Sequence, residues 1–299
     1  MRYLVIRTEN LTKMYGRHLG VRDLMLEVEP GEVFGFLGPD GSGKTTTIRL
    51  LLDFVRPTSG RALVLGLDSR QDSLKVRRQV GYLPGEFDFF AHQTGGAALR
   101  SFETLRGKLD WAYVDGLVER FGLDVDQKIG DMPALERRKV GLIQAFMHRP
   151  ELILLDEPSR GLDLATQQAL YQLIAEVRQE GRTVFLASNS VCEMERLCDR
   201  AAVLYGGQVM AVERGVHLRA RALRRIEMRF ATPVPLGAFD ALPNLQDLHI
   251  TPHSLSCTVR GDPDTLLKLA SQYRITDMLS QSLSLEEVFR RDYGITCAA

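Results

Sequence analysis

Residues Gly38-Pro39-Asp40-Gly41-Ser42-Gly43-Lys44-Thr45-Thr46 carry the spacing G-x-x-x-x-G-K-[ST] directly after an apolar run, Val33-Phe34-Gly35-Phe36-Leu37. A strand, a glycine-rich loop and a helix in that order make consecutive backbone N–H groups converge on phosphate oxygens. The glycines let the loop curl, and a helix beginning near Lys44 adds the positive end of its dipole. Lys44 then reaches the β- and γ-phosphates of a nucleoside triphosphate, and the Thr45 hydroxyl sits on Mg2+. The acidic partner that this chemistry needs stands at Asp156-Glu157, after Leu152-Ile153-Leu154-Leu155. That run reads as a buried parallel strand. Asp156, at its carboxyl end, is placed to hold Mg2+, and Glu157 to orient or deprotonate an attacking water. An Asp-Glu pair after a strand also suits a solvated loop or a helix cap; its pairing with Lys44 favours chemistry.

Further segments extend the pattern: Asn10-Leu11-Thr12-Lys13-Met14-Tyr15-Gly16, Gly81-Tyr82-Leu83-Pro84 and Ser159-Arg160-Gly161-Leu162-Asp163. With them the chain resembles the nucleotide-binding subunit of ATP-binding-cassette (ABC) transporters over nearly all its length. Within that family it looks most similar to the drug-resistance and antibiotic-export type. Val140-Gly141-Leu142-Ile143 followed by His148-Arg149-Pro150, and the tail Ser284-Leu285-Glu286-Glu287-Val288-Phe289, carry that finer likeness. The resemblance implies an α/β P-loop NTPase of the ABC-ATPase fold: a RecA-like core, an antiparallel β layer and a helical subdomain, with a small α+β C-terminal domain. It implies that ATP and Mg2+ bind, that Tyr15 stacks on adenine, and that Asp163 belongs to a D-loop touching an opposite subunit. It also implies two partners, a second ATP-binding subunit (homo- or heterodimer) and a multi-span membrane subunit in another chain. Their meeting place would be the cytoplasmic face of the cell membrane, with this chain peripheral.

Departures from the family pattern are as informative. The family closes ATP between one subunit's phosphate loop and an LSGGQ-like helix start in the other. Here that position reads Met132-Pro133-Ala134-Leu135-Glu136. Pro133 offers neither hydroxyl nor backbone N–H to a γ-phosphate, and Leu135 places a side chain where glycine would allow close approach. The helix itself tolerates proline in its first turn. Asn189 stands where the family has a switch histidine; its amide donates hydrogen bonds but cannot become a cation. Losing one well-placed stabilising contact costs about 3 kcal/mol, on the order of a hundredfold in rate. Gly85, followed by Glu86, occupies the Q-loop glutamine position, so contact with Mg2+ and the membrane partner is altered. ATP binding is expected to be intact and turnover slow or asymmetric between sites.

The elements that must hold these residues can be laid out along the 299-residue chain. Residues 1–215 form the nucleotide-binding domain, 216–225 a basic linker and 226–299 an α+β accessory domain. Alternation from Met1 to Leu37, with a turn at Glu29-Pro30-Gly31-Glu32, reads as an antiparallel β layer entering the core. Helical periodicity from Phe87 to Arg149 (Leu105, Leu109, Val114, Leu117, Val118, Phe121) marks the helical subdomain, about 87–149. Its aromatic entrance Phe87, Phe89, Phe90 suits either a docking surface or core packing. A helix at about 165–180 and strands at 183–187, 201–205 and 208–212 follow. The run His217 to Arg225 reads as a solvated helical linker, with contact to anionic lipid or a partner as the alternative. Beyond it, strands are expected at 226–230 and 256–259, weaker ones near Leu248 and Ile275, and a helix at 264–271 behind Pro263.

Thirty-eight basic and 38 acidic side chains leave no net charge, so no global field recruits nucleic acid. No apolar run approaches the ~18–20 residues that span a bilayer, and the first seven residues are too short for a secretory signal. A pore is therefore expected in another chain. Four cysteines without zinc-type spacing read as reduced thiols. The expected function is an ATP-hydrolysing subunit powering a separate membrane exporter. Two alternatives stay open: a nucleotide-dependent clamp with negligible turnover, and a soluble ABC ATPase acting on ribosomes or DNA.

Overall fold

The computed structural model describes residues 3–86, 90–214, 223–283 and 287. The chain divides into two compact units, Met1–Glu213 and Arg214–Ala299. In the first unit, strands β1 (Ile6–Tyr15), β2 (His18–Leu24), β3 (Glu27–Val28), β5 (Ser59–Val64) and β6 (Leu67–Asp68) form an antiparallel layer. A second sheet has the order β11 (Gln208–Arg214), β10 (Arg200–Tyr205), β4 (Val33–Leu37), β9 (Thr183–Ser188), β8 (Leu152–Asp156), β7 (Val80–Leu83). From β10 to β7 every pairing in it is parallel.

Parallel strands covered on both faces need continuous apolar sequence rather than alternation. β4, β8 and β9 are buried at every position. Phe185 of β9 stacks on Phe34 and packs against Phe36 of β4, with ring centroids 5.9 and 5.3 Å apart. Helix α1 (Lys44–Leu51) leaves β4 through the glycine-rich loop, and α6 (Leu164–Gln179) and α7 (Val191–Leu197) follow β8 and β9. The carboxyl ends of β4, β8, β9 and β7 therefore lie side by side, where open α/β sheets bind ligands.

The helical segment contains α3 (Gly95–Arg106), α4 (Trp111–Phe121) and α5 (Ala134–Phe146). Thr94 and Asp110 cap the first two, accepting from the backbone N–H groups of Ala97 and Tyr113. One expectation is corrected here: the apolar periodicity read through Leu105 and Leu109 belongs to two helices. Gly107, at φ +91°, ends α3, leaving Leu105 exposed and Leu109 between helices. Val114, Leu117 and Phe121 form the buried stripe of α4. α5 is buried at every position from Arg138 to Phe146. It lies so close to β7 that a Cβ on Gly81 would stand 2.0 Å from the Ala145 carbonyl oxygen. Of the aromatic entrance, Phe87 and Phe89 fall outside the described residues; Phe90 packs edge-on against Phe102.

The second unit has a four-stranded antiparallel sheet, β13 (Leu245–Thr251), β14 (Ser254–Arg260), β12 (Leu223–Phe230), β15 (Ile275–Ser282), and a helix Asp264–Ala270. Its own core gathers Ile226, Met228, Phe230, Phe239, Leu255 and Leu266. The helical linker read over His217–Arg225 is corrected at its end, because Leu223, Arg224 and Arg225 open strand β12. The arginines there obscured a strand: Leu223, Ile226, Met228 and Phe230 are buried, while Arg225, Glu227 and Arg229 are exposed. Residues 215–222 and most of the Ser284–Phe289 tail lie outside the described residues. Among the described residues no helix is long and apolar enough to cross a membrane.

Candidate functional site

Gly43 shapes the cradle. It caps α1 at φ +107°, and a Cβ there would stand 2.4 Å from the Gly20 carbonyl oxygen. Only glycine takes that conformation at that distance without displacing the β layer. Lys44 follows as the first helical residue, 5% exposed. Its Nζ donates to the carbonyls of Gly38 (2.6 Å) and Pro39 (3.1 Å). The same Nζ is 3.1 Å from Glu157 Oε1, an ion pair without hydrogen-bond alignment. Ser42 Oγ is buried in the loop without a protein partner.

Thr45 Oγ1 donates to Asp156 Oδ2 at 2.7 Å, so the loop and the end of β8 are joined directly. The other oxygen, Asp156 Oδ1, is buried and unpartnered. Burial raises the Asp156 pKa, against the Thr45 hydrogen bond and the charges of Lys44, Arg138 and Arg49. A carboxylate so placed gains from a divalent cation what water no longer supplies. The orphaned Asp156 Oδ1 and Ser42 Oγ, the Thr45 hydroxyl and the open N–H groups of α1 fit a magnesium–triphosphate group.

Glu157 is held in the left-handed region at φ +47°. Its N–H donates to the Ala187 carbonyl at 2.8 Å, and its Oε2 accepts from the Asn189 N–H at 3.4 Å. Asn189, at the end of β9, is itself exposed, and the bond to Glu157 is through its backbone. Gly85 lies beside the Asp156 carboxylate: a Cβ there would be 3.5 Å from Oδ2, the oxygen that accepts from Thr45. A longer side chain at 85 would overlie that oxygen; glycine leaves it open.

Gly43, Lys44, Thr45, Gly85, Asp156 and Glu157 line a cleft of about 780 Å³ that also includes Tyr15, Asp40, Gly41, Thr46, Glu86 and Arg160, whereas Ser42 and Asn189 do not line it. Tyr15 is 42% exposed, with Lys13 Nζ 5.0 Å from its ring centroid. Met132, Pro133, Ala134, Leu135, Glu136 and Asp163 do not line that cleft. Met132 is buried, Pro133 is the N-cap of α5 with no side-chain cap bond, and Glu136 pairs with Lys139 at 2.7 Å. Asp163 caps α6, accepting from Thr166 N at 2.7 Å; that bond lowers its pKa.

Arg138 and Glu193, both buried and charged, escaped the sequence reading. Arg138, in the second turn of α5, reaches the ends of both β7 and β8. Glu193 of α7 is 2% exposed, its carboxylate oxygens have no aligned hydrogen bond, and burial raises its pKa despite the nearby hydroxyls of Ser188, Ser159 and Tyr171. A clue to Arg138 was available: Arg138-Lys139 runs straight into the apolar stretch Val140 to Phe146.

A family model described as ABC transporter matches residues 21–160. The bacitracin transport ATP-binding protein BcrA of Bacillus licheniformis is 31% identical over 230 residues, 76% of this chain and 75% of BcrA. ATP-binding cassette sub-family A member 7 of Mus musculus is 32% identical over 308 residues, covering 96% of this chain but 14% of that protein. Among solved structures, a dimeric ATP-binding cassette in a post-hydrolysis state, bound to ADP and Pi, superposes with a TM-score of 0.64. It shares 20% identity over 70% of this chain and 98% of its own, a likeness of fold.

Proposed function

This chain belongs to the ABC transporter ATP-binding family and is an ATP-hydrolysing subunit of it; from that premise we propose how its residues divide the work. The observation that carries the proposal is the meeting of Lys44, Thr45, Asp156 and Glu157 at neighbouring strand ends. Lys44 and the N–H groups of residues 41–45 bind the phosphates, and the Ser42 hydroxyl adds a contact. Thr45 and Asp156 hold Mg2+, which when bound neutralises phosphate charge. Glu157 releases Lys44 to the nucleotide and orients or deprotonates the attacking water. Tyr15 stacks one ring face on adenine while Lys13 keeps to the other.

Sites of this kind are completed by a second ATP-binding subunit, and the exposed Pro133 and Ala134 at the start of α5 are this chain's contribution to the opposite site. The chain docks on a multi-span membrane subunit at the cytoplasmic face and powers export. Closure of the dimer on ATP drives the partner's change of state, and hydrolysis resets it. The second unit contributes regulation or dimer contacts. A clamp-like role with slow turnover is the second reading, favoured by Pro133, which lacks the hydroxyl and N–H that would hold a γ-phosphate, and by Leu135, whose side chain obstructs its approach.

Steady-state phosphate release by the wild-type complex, purified with its membrane subunit, compared with Glu157→Gln, tests the proposal. The substitution is expected to lower kcat by about 10²–10⁴-fold while ATP still binds. Tight ATP binding with turnover unaltered by Glu157→Gln would remove Glu157 from its role and favour the clamp.

A further inference from the structure

Arg138 is 6% exposed, and its guanidinium is bonded only to backbone. One terminal nitrogen donates to the carbonyls of Pro84 and Gly85, the latter at 2.8 Å. The other donates to the carbonyls of Asp156 at 2.9 Å and Glu157 at 2.7 Å. Nε is buried without a partner. Removing a guanidinium from water without a bonded carboxylate is expensive. Here four carbonyl dipoles and the fields of the Asp156 and Glu157 carboxylates offset that cost, and burial still lowers its pKa.

The four carbonyls come from the segments that leave β7 and β8, neighbouring strands of the parallel sheet. The cation arrives on a third element whose seat is rigid, since α5 packs on β7 at Gly81. Glu157 stays in the left-handed region because both sides of its backbone are tied. Its N–H is held by the Ala187 carbonyl and its own carbonyl by Arg138. Without the second tie the residue relaxes toward ordinary φ values, because left-handed backbone is strained for a residue with a Cβ. Its carboxyl then swings off the line to Lys44.

We propose that Arg138 is a positioning residue for hydrolysis: its four carbonyl bonds fix the Glu157 backbone and join that setting to the loop at Pro84-Gly85. The proposal rests on the reading of Glu157 as the group that acts on water. A fold staple with no such role would lower stability and nucleotide affinity together with turnover. A positioning residue splits them.

The test uses the full chain with its membrane subunit and the variants Arg138→Lys, Arg138→Ala and Glu157→Gln. Arg138→Lys keeps the charge but cannot span four carbonyls. It is expected to hold a fluorescent ATP analogue within about twofold of wild type and to lose kcat about tenfold or more, since small misplacements cost that much. Arg138→Ala is expected to regain part of its turnover in millimolar methylguanidinium, and Arg138→Ala/Glu157→Gln to regain none. If Arg138→Ala does not fold, Arg138→Lys decides alone. A kcat within twofold of wild type in Arg138→Lys, or affinity and kcat falling in proportion, would overturn the proposal. Glu157→Gln inactive beside a normal Arg138→Lys defeats the Arg138 role alone; Glu157→Gln active at the wild-type rate defeats the reading beneath it.

Discussion

The two oxygens of Asp156 stand in different surroundings: Oδ2 accepts from Thr45, and Oδ1 is buried with no partner. Burial raises this pKa above the usual aspartate range, so ionising the carboxyl weakens the metal-free fold. The cost is absent below the unfolded-state pKa, grows as pH rises through the folded-state value, and is complete above it. Asp156→Asn, neutral and of the same shape, is therefore expected to melt above wild type in metal-free buffer at neutral pH. The gap should close as pH falls through that window. The same variant should lose the Mg2+ dependence of nucleotide binding. Melting curves across pH with chelator, then nucleotide titrations with and without Mg2+, check both halves. A gap that persisted unchanged at acid pH would contradict the burial argument.

A second residue-scale prediction concerns the start of α5. Pro133→Ser with Leu135→Gly restores a hydroxyl, a backbone N–H and open backbone where a γ-phosphate would dock. Turnover of the dimer is expected to rise about tenfold or more, from what one oriented donor contributes. An unchanged rate would mean that these positions do not limit hydrolysis.

Among the elements, what could be read early was what is local in sequence. The phosphate loop and Asp156-Glu157 are contiguous, and the fully apolar strands before them state their burial directly. Tyr15 was found only through family likeness. The apolar run after Arg138 hints at its burial but not at what it holds, because its partners lie 53 and 54 residues away in one direction and 18 and 19 in the other. Glu193 was missed for the same reason: Ser159 and Tyr171, its neighbours in space, belong to other segments. The linker reading failed at Leu223 because consecutive arginines resemble a solvated helix until the cross-strand partners Arg260, Val259 and Thr258 are known. α5 gives this scale its own prediction. Gly81→Ala would set a Cβ 2.0 Å from the Ala145 carbonyl oxygen and push the helix off β7. Urea melts are expected to show a loss of about 1–3 kcal/mol, typical of an overpacked contact. Because α5 carries Arg138, kcat should fall further than nucleotide affinity. Equal falls in both would mean that the helix seat does not set the site.

At the scale of the whole molecule, if Met132 to Glu136 completes the opposite site as proposed, a homodimer pairs each cradle with a poor donor segment and both sites are expected to be slow. In a heterodimer the partner supplies a better segment to the site built on Lys44, and the two sites differ. The second unit can be probed apart from that arithmetic, because it has its own core. Phe239, fully buried, packs with Phe230 and Tyr273 at ring-centroid distances of 6.5 and 6.2 Å. Phe239→Ala removes the ring both contact and is expected to destabilise that unit by about 3–5 kcal/mol. The described residues that line the nucleotide cleft all belong to the first unit, so affinity for ATP should be unchanged. If the unit supplies dimer contacts, the variant needs a higher protein concentration to reach half-maximal specific activity, with saturating turnover preserved. Activity titrated against protein concentration reads that shift. A curve superimposable on wild type, with the second unit shown to be unfolded, would deny it a part in assembly.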